Sequence, residues 1–379
     1  MLLNEQQTMI RDMARDFARR ELAPNAAEWD RKAELPLDVL RRMGELGLMG
    51  MCVPEQWGGA GADYVSYALA LEEIAAGDGA ASTVMSVNNA PCCAAIEAYG
   101  TEAQKERLLP SLARGEQIGC FLLSEPQAGS DASNLRTRAV LDGNRYVLNG
   151  AKQFITSGKI GDLAMIFAVT DPDAGARGIT CFLSPTDAPG YKVERVEGKL
   201  GQRASDTCAI ALENLEVPPD MILGEPGQGY KIALANLSTG RIGIGAQAVG
   251  MARAAYEHAL AYAQEREAFG KAIFEHQAVG FRLAEMATEI EAARQMTLHA
   301  ASLKDAGIEC LKEASMAKLF ASEMAERVWS EAIQVHGGYG FLSDFPVERI
   351  YRDVRVCQIY EGTSDVQKIV ISRALKAGG

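Results

Sequence analysis

The texture of the chain changes twice along its length, and those two changes restrict its architecture more than any single motif does. From residue 1 to about 115, segments such as DVLRRMGELGL and SYALALEEIAAG repeat apolar residues at the spacing of a helix with one buried face. Pro36, the cluster from Gly58 to Gly61, and Gly77 to Gly79 separate these helices. Between about 118 and 225 the chain turns to short β-branched and aromatic runs, among them IGCFLLSE, LAMIFAVT and TCAIALENLEVP, each ended by Gly, Pro, Asn or Asp. No long helical pattern interrupts them, which disfavours parallel βαβ units and predicts a compact antiparallel sheet or barrel. After GEPGQGY the helical period returns, and RLAEMATEIEAARQMTLHAASL and KEASMAKLFASEMAERVWSEAIQV are long enough for a four-helix bundle. The expected fold is α+β: an N-terminal helical domain at 1–117, a central antiparallel β-barrel at 118–227 and a C-terminal four-helix bundle at 228–379.

A chain of 379 residues, 48% hydrophobic and 23% charged, has material for such a buried interior. Its net charge of -12, with no basic stripe, argues against a nucleic acid or an anionic membrane as partner. A phosphate-bearing small ligand stays possible, since a few local arginines or helix N-termini suffice to hold one. No apolar run is long enough to span a membrane, and the acidic residues of MLLNEQQTMIRDMARDFARRELAP count against a targeting peptide. The eight cysteines show no C-x-x-C and read as reduced thiols, which places the protein in the cytoplasm. The four histidines form no metal-binding spacing, so no metal site is expected.

GIGAQA, residues 243–248, matches the G-x-G-x-x-A turn of nicotinamide-binding folds, but that fingerprint must follow a strand. Here both flanks read as helix, so these small residues are expected to serve close helix packing. Five other segments carry chemistry more plausibly. FLLSEPQAGSD (121–131) ends a strand in a turn of small and hydroxyl residues that a flat ligand could approach. FITSG (154–158) sets Phe154 beside Thr156. EREAFGKAIFEHQ (265–277) gathers Arg266, Phe269 and Gln277 near a helix end, a combination suited to a pyrophosphate and an adenine. QVHGGYGF (334–341) and YEGTSD (360–365) complete the set. In the last of these Glu361 stands between the apolar Ile359–Tyr360 and a small hydroxyl turn, a place where a carboxylate needs a reason.

Together and in this order, SEPQAGSD, AFGKAIFEHQ, HGGYGF and IYEGTSDVQ resemble the acyl-CoA dehydrogenase family, and the resemblance runs from about residue 4 to 374. It implies a homotetramer, a dimer of dimers, with FAD at the subunit boundary and electron-transferring flavoprotein as the acceptor. Phe121, Leu123, Ser124, Gly129, Ser130, Phe154, Ile155 and Thr156 would line the flavin ring. Arg266, Phe269, Gln277, Gln334, Val335, His336, Gly337 and Gly338 would hold its adenine and pyrophosphate end across the dimer, with Thr363, Ser364 and Asp365 as further FAD contacts. Ser130, Ser238, Arg241 and Gly362 would meet the acyl-CoA substrate, Gly362 by giving the thioester room to approach the backbone.

The resemblance implies that Glu361 is the catalytic residue. It would take the α-proton while the β-hydrogen leaves as hydride to flavin N5, and burial against Tyr360 would raise its pKa. The competing account is a carboxylate at the N-terminus of the following helix, held by the helix dipole. Family members that carry the base elsewhere place it just before the arginine corresponding to Arg241, where this chain has Gly240. Ser82, Thr83 and Val84 stand where glutaryl-CoA members have an arginine, which disfavours dicarboxylic substrates. VMSVNNAPCCAAIEAYG resembles the acyl cavity of short-chain and branched short-chain members. The alternatives are an acyl-CoA oxidase of the same fold and a non-catalytic acyl-CoA-binding relative.

Overall fold

The structure, a computed structural model, describes residues 1–377, the side chain of Ser238 excepted. The N-terminal part holds α1 Glu5–Phe17, α2 Ala26–Lys32, α3 Leu37–Glu45, α4 Tyr64–Gly77, α5 Gly79–Val87, α6 Ala94–Tyr99 and α7 Glu102–Ala113. The chain enters α1 through a capping box: Asn4 Oδ1 accepts from the Gln7 amide at 2.8 Å, and Gln7 Oε1 accepts from the Asn4 amide at 3.1 Å. YVSYALALEEIAAG is apolar on nearly every side, and as α4 it is buried on nearly every side, between α1 and the C-terminal helices.

The middle part is one sheet of β1 Gly119–Leu122, β2 Arg138–Asp142, β3 Arg145–Thr156, β4 Leu163–Val169, β5 Ile179–Pro185, β6 Tyr191–Val196, β7 Thr207–Val217 and β8 Ile222–Leu223. Its hydrogen-bonded order is β6-β7-β3-β2-β4-β5-β8, with β1 also on β4. The pairings are antiparallel except at β4, which β1 and β2 join in parallel. Both enter β4 through connections longer than a hairpin turn, so the antiparallel rule of tight turns does not bind them. Every residue of β4 is buried, as LAMIFAV leads one to expect of a central strand. The register of β3 on β7 shifts between Lys152 and Ile155, and within that irregularity Phe154 takes a left-handed φ of 62° and turns its ring outward.

The C-terminal part holds α8 Gly229–Glu265, α9 Gln277–Asp305, α10 Leu311–His336, α11 Pro346–Val354 and α12 Ser364–Lys376. Helices α8, α9 and α10 pack on one another and α12 packs on α10. GIGAQA lies inside α8, where a Cβ at Gly243 would stand 3.0 Å from Tyr67 Oη of α4 and one at Gly245 2.9 Å from Thr297 Oγ1 of α9. Those glycines serve close packing, as the helical flanks predict. A buried ion network fastens the parts together. Glu73 accepts from Arg15 of α1 at 2.7 Å and from Arg253 of α8 at 2.5 Å, while Glu72 accepts from Arg253 at 3.0 Å and from Arg294 of α9 at 2.9 Å. Among the described residues no helix is long and apolar enough to cross a membrane.

Candidate active site

The expected site residues fall into two places. The first is a cavity of about 220 Å³ where the sheet, α8 and the segment before α12 meet. Phe121, Leu123, Ser124, Gly129 and Ser130 come to it from β1 and the turn after it, Phe154, Ile155 and Thr156 from the end of β3, Arg241 from α8, and Glu361 and Gly362 from the far side. The strand-end residues are held from behind by a buried ion pair. Lys152 Nζ donates to Glu125 Oε1 at 2.7 Å and to the carbonyls of Leu123 and Phe167, and Glu125 also accepts from the amides of Arg136 and Thr137. Burial opposes ionisation of this pair, but Lys152 and the amides hold the Glu125 carboxyl down at about 2, and Lys152 itself is pulled to about 8 by burial.

Glu361 has a left-handed backbone, φ 51°, ahead of Gly362 at φ 92°. The N-cap of α12 is filled by Thr363, whose side chain accepts from the Val366 amide, so Glu361 is not spent on capping the helix. Its Oε2 is buried with no hydrogen-bond partner, and so is Arg241 Nε. Burial pushes the Glu361 carboxyl up to about 7, against the opposing charges of Lys318 and Arg241. Arg241 is 6% exposed, and burial draws its guanidinium pKa down while Glu361 supports the charge. Its Nη1 donates to Ser315 Oγ at 3.1 Å. A Cβ at Gly240 would lie 1.9 Å from Glu361 Oε2. The volume that a side chain from 240 would enter is the volume the Glu361 carboxylate fills, so one carboxylate fits there. Gly362 has a further reason beside the expected one: besides its φ, a Cβ would meet Gln367 Nε2 at 2.8 Å, so its bareness also serves packing.

The cavity is also bounded by a polar network that the motifs do not announce. Tyr360 Oη donates to Gln247 Oε1 at 3.1 Å, Gln247 Nε2 donates to Ser82 Oγ at 2.8 Å and to Thr83 Oγ1 at 3.1 Å, and Thr83 Oγ1 donates to Gln202 Oε1 at 2.6 Å. The lining carries one cation, Arg241, which faces Glu361. The side chain of Ser238, expected at the substrate, lies outside the described residues.

The second place is an open cavity of about 370 Å³ at the end of α10, lined by Arg266, Val335, His336, Gly337 and Gly338 together with Tyr262 and Tyr339. His336 is engaged within its own fold: Nδ1 pairs with the Ala332 carbonyl at 2.8 Å and the ring stacks on Tyr262 at 4.5 Å. Phe269, Gln277, Gln334, Thr363, Ser364 and Asp365 line neither cavity. Gln277, Gln334 and Asp365 are exposed, and Ser364 Oγ is buried without a partner. Phe269 sits with Gly270 at the tip of a two-stranded hairpin, β9 Glu267–Ala268 and β10 Lys271–Ala272, at φ 55° and 97% exposed. A left-handed aromatic at a hairpin tip is a strained choice whose effect is to hold the ring out in the open.

The first cavity fits a flat, polar-edged ring: aromatic and aliphatic walls at Phe121, Leu123, Phe154 and Ile155, hydroxyls at Ser124, Ser130 and Thr156, and an unpartnered carboxylate opposite. Missed from the sequence were Lys318, Gln367, Gln247 and the Lys152–Glu125 pair. Lys318 carried a signal, since it interrupts the small apolar stripe of Ala314, Ala317, Ala321 and Ala325 on α10.

Family models for the N-terminal, middle and C-terminal domains of acyl-CoA dehydrogenases match residues 4–116, 120–215 and 227–376. The chain is 45% identical over 370 residues to the mitochondrial short-chain specific acyl-CoA dehydrogenase of Bos taurus, covering 98% of this chain and 90% of that one. Among solved structures it is similar to butyryl-CoA dehydrogenase from Megasphaera elsdenii, at 40% identity, TM-score 0.97 and 99% of each chain. A chain in a structure of the electron transferring flavoprotein of Acidaminococcus fermentans, solved toward a mechanism of flavin-based electron bifurcation, is 45% identical at TM-score 0.98 over 99% of each.

Proposed function

Since this chain belongs to the acyl-CoA dehydrogenase family of FAD-dependent oxidoreductases, we propose that it dehydrogenates a short-chain or branched short-chain acyl-CoA to the trans-2-enoyl-CoA, with Glu361 as the base. The observation that carries this reading is Glu361 Oε2, buried, unpartnered and aimed into the cavity. A carboxyl pushed to about 7 is a stronger base than one in water and is still largely ionised at slightly alkaline pH. FAD, when bound, supplies the acceptor for the β-hydride at N5. The chain's own residues do the rest. Glu361 takes the α-proton, its amide would donate to the thioester oxygen, and Arg241 holds positive charge beside the developing enolate.

The acyl group is proposed to lie between Glu361 and the wall of Thr83, Ser86 and Gln247, which bounds its length and offers a dicarboxylic substrate no second cation. The open cavity at Arg266 and the glycines at 337–338 would take the pyrophosphate and adenine end of FAD from a neighbouring subunit. Phe269, with the exposed Phe281 and Phe341, would lie in the contacts of a homotetramer. Electron-transferring flavoprotein is the proposed acceptor, and eight unpaired cysteines fit a reducing cytoplasm.

The test is an anaerobic titration of the purified protein with butyryl-, isovaleryl-, 2-methylbutyryl- and octanoyl-CoA, following flavin absorbance in wild type and Glu361→Gln. Bleaching by a short thioester in wild type alone supports the reading. Bleaching that survives in the variant moves the base elsewhere, and a purified protein without flavin sinks the enzyme reading.

A further inference from the structure

Lys318 lies outside every motif and Gln367 ends IYEGTSDVQ with no role assigned to it, yet both reach the turn that carries Glu361. Lys318, on α10, is fully buried, and its Nζ donates to the Gly362 carbonyl at 2.7 Å. Gln367, on the first turn of α12 and equally buried, donates from Nε2 to the same carbonyl at 2.8 Å and to the Glu361 carbonyl at 3.3 Å. Residues 361 and 362 are both left-handed, and a glutamate stays in that region only where its surroundings over-determine it. Two buried donors from two different helices, converging on one carbonyl, are that constraint. An ammonium also has more donors than one carbonyl can use, and its charge is the stronger of two that oppose the effect of burial on the carboxylate.

We infer that Lys318 and Gln367 are positioning residues for the base: both fix the turn that aims Glu361 into the cavity, and Lys318 in addition supplies the charge that keeps its carboxylate ionised in the dry site. This rests on the reading of Glu361 as the base. The charged and titratable groups facing the pair are Arg241 on α8, Tyr67 on α4, Glu323 on α10, and Cys357 and Tyr360 on the segment before the turn. Of these, Arg241 acts on Glu361 in the same direction as Lys318. Burial draws the Lys318 ammonium down to about 8 and pushes the Glu361 carboxyl up to about 7, and each charge supports the other against that burial. Removing the Lys318 charge leaves the carboxylate with less support, so Glu361 holds its proton to higher pH. Gln367 has no charge, and losing it loosens the turn without that change.

Exchange of the α-hydrogens of acetyl-CoA with deuterated water, followed by NMR across pH, isolates proton removal, because the acetyl group has no β carbon from which a hydride could leave. It would be run on flavin-bound wild type, Lys318→Met, Gln367→Leu and Glu361→Gln, beside anaerobic flavin reduction by butyryl-CoA. In Lys318→Met exchange slows by about tenfold at neutral pH and its acid limb moves up by about one pH unit. In Gln367→Leu it slows with the limb in place. A limb that stays put in Lys318→Met, or moves equally in both variants, overturns the inference. If Lys318→Met fails to fold or retain flavin, Lys318→Gln, which keeps a donor for Gly362 but not the charge, carries the same expected limb movement. Exchange at wild-type rate in Glu361→Gln overturns the base reading and this inference with it. An inactive Glu361→Gln beside an unmoved Lys318 limb overturns the positioning role alone.

Discussion

The two cavities differ in how complete they are. The one around Glu361 is the more enclosed, with walls from the sheet, α8, α5 and the turn before α12, and with buried polar atoms of Glu361 and Arg241 left unpartnered. The one around Arg266 is an open shelf of glycine backbone and a single exposed guanidinium, beside a hairpin that holds Phe269 out in the open. On the proposed function the enclosed pocket places the chemistry, and the half-pocket flanked by exposed aromatics would face a neighbouring subunit. The consequence is that mutations at Glu361 and Gly240 in the first should change rate without changing cofactor content, and mutations in the second should do the reverse.

The strongest way to break that division is Glu361→Gln. Single-turnover flavin reduction by butyryl-CoA is expected to fall about a thousandfold with FAD content unchanged, and a variant purified without flavin would show that the enclosed cavity is not independent of the shelf. Next is Gly240→Ala, whose new methyl must displace the Glu361 carboxylate. Flavin reduction should slow about a hundredfold, again in flavin-bound protein. Arg266→Ala should act on the other side, weakening FAD retention about tenfold by equilibrium dialysis while the flavin that stays bound is reduced at the normal rate. Phe269→Ser should have a milder effect of the same kind, lowering the oligomer mass by light scattering and making FAD retention depend on protein concentration. The smallest effect is one of stability. A carboxyl raised to about 7 in the fold contributes stability that is present at low pH and lost as pH rises through that value. Glu361→Gln should therefore melt about 2 °C above wild type at pH 8 and level with it at pH 5, by thermal shift.

The same division explains what the sequence disclosed. Glu361, the strand-end residues and the pattern of helix, sheet, helix were legible because each is marked locally: a carboxylate in an apolar setting, Gly-rich turns, a change of period. The polar wall was not legible, because Gln247, Thr83, Gln202 and Tyr360 come from four separate segments and acquire meaning only when folding brings them within hydrogen-bond reach. Lys152 lies on β3 and Glu125 in the turn after β1, and only folding turns two residues 27 apart into a buried pair. The parallel entry of β1 and β2 onto β4 was hidden because periodicity fixes that a strand exists, not its direction. His336 lines the shelf beside the glycines, but its ring is stacked on Tyr262 and bonded to the Ala332 carbonyl of its own helix, a restraint its motif did not announce.

The ion network at Glu72 and Glu73 has a kinetic side. Arg15 ties α1 to the same carboxylate pair that α8 and α9 share through Arg253 and Arg294, so peeling α1 away strands charge inside the protein. The first helix of the chain, an ordinary place for fraying, is thereby enrolled in the bundle's cooperative unit. A protease directed at Arg15 or Arg11 should find its bond only when the bundle itself opens, and cleavage there would serve as a clock for global unfolding.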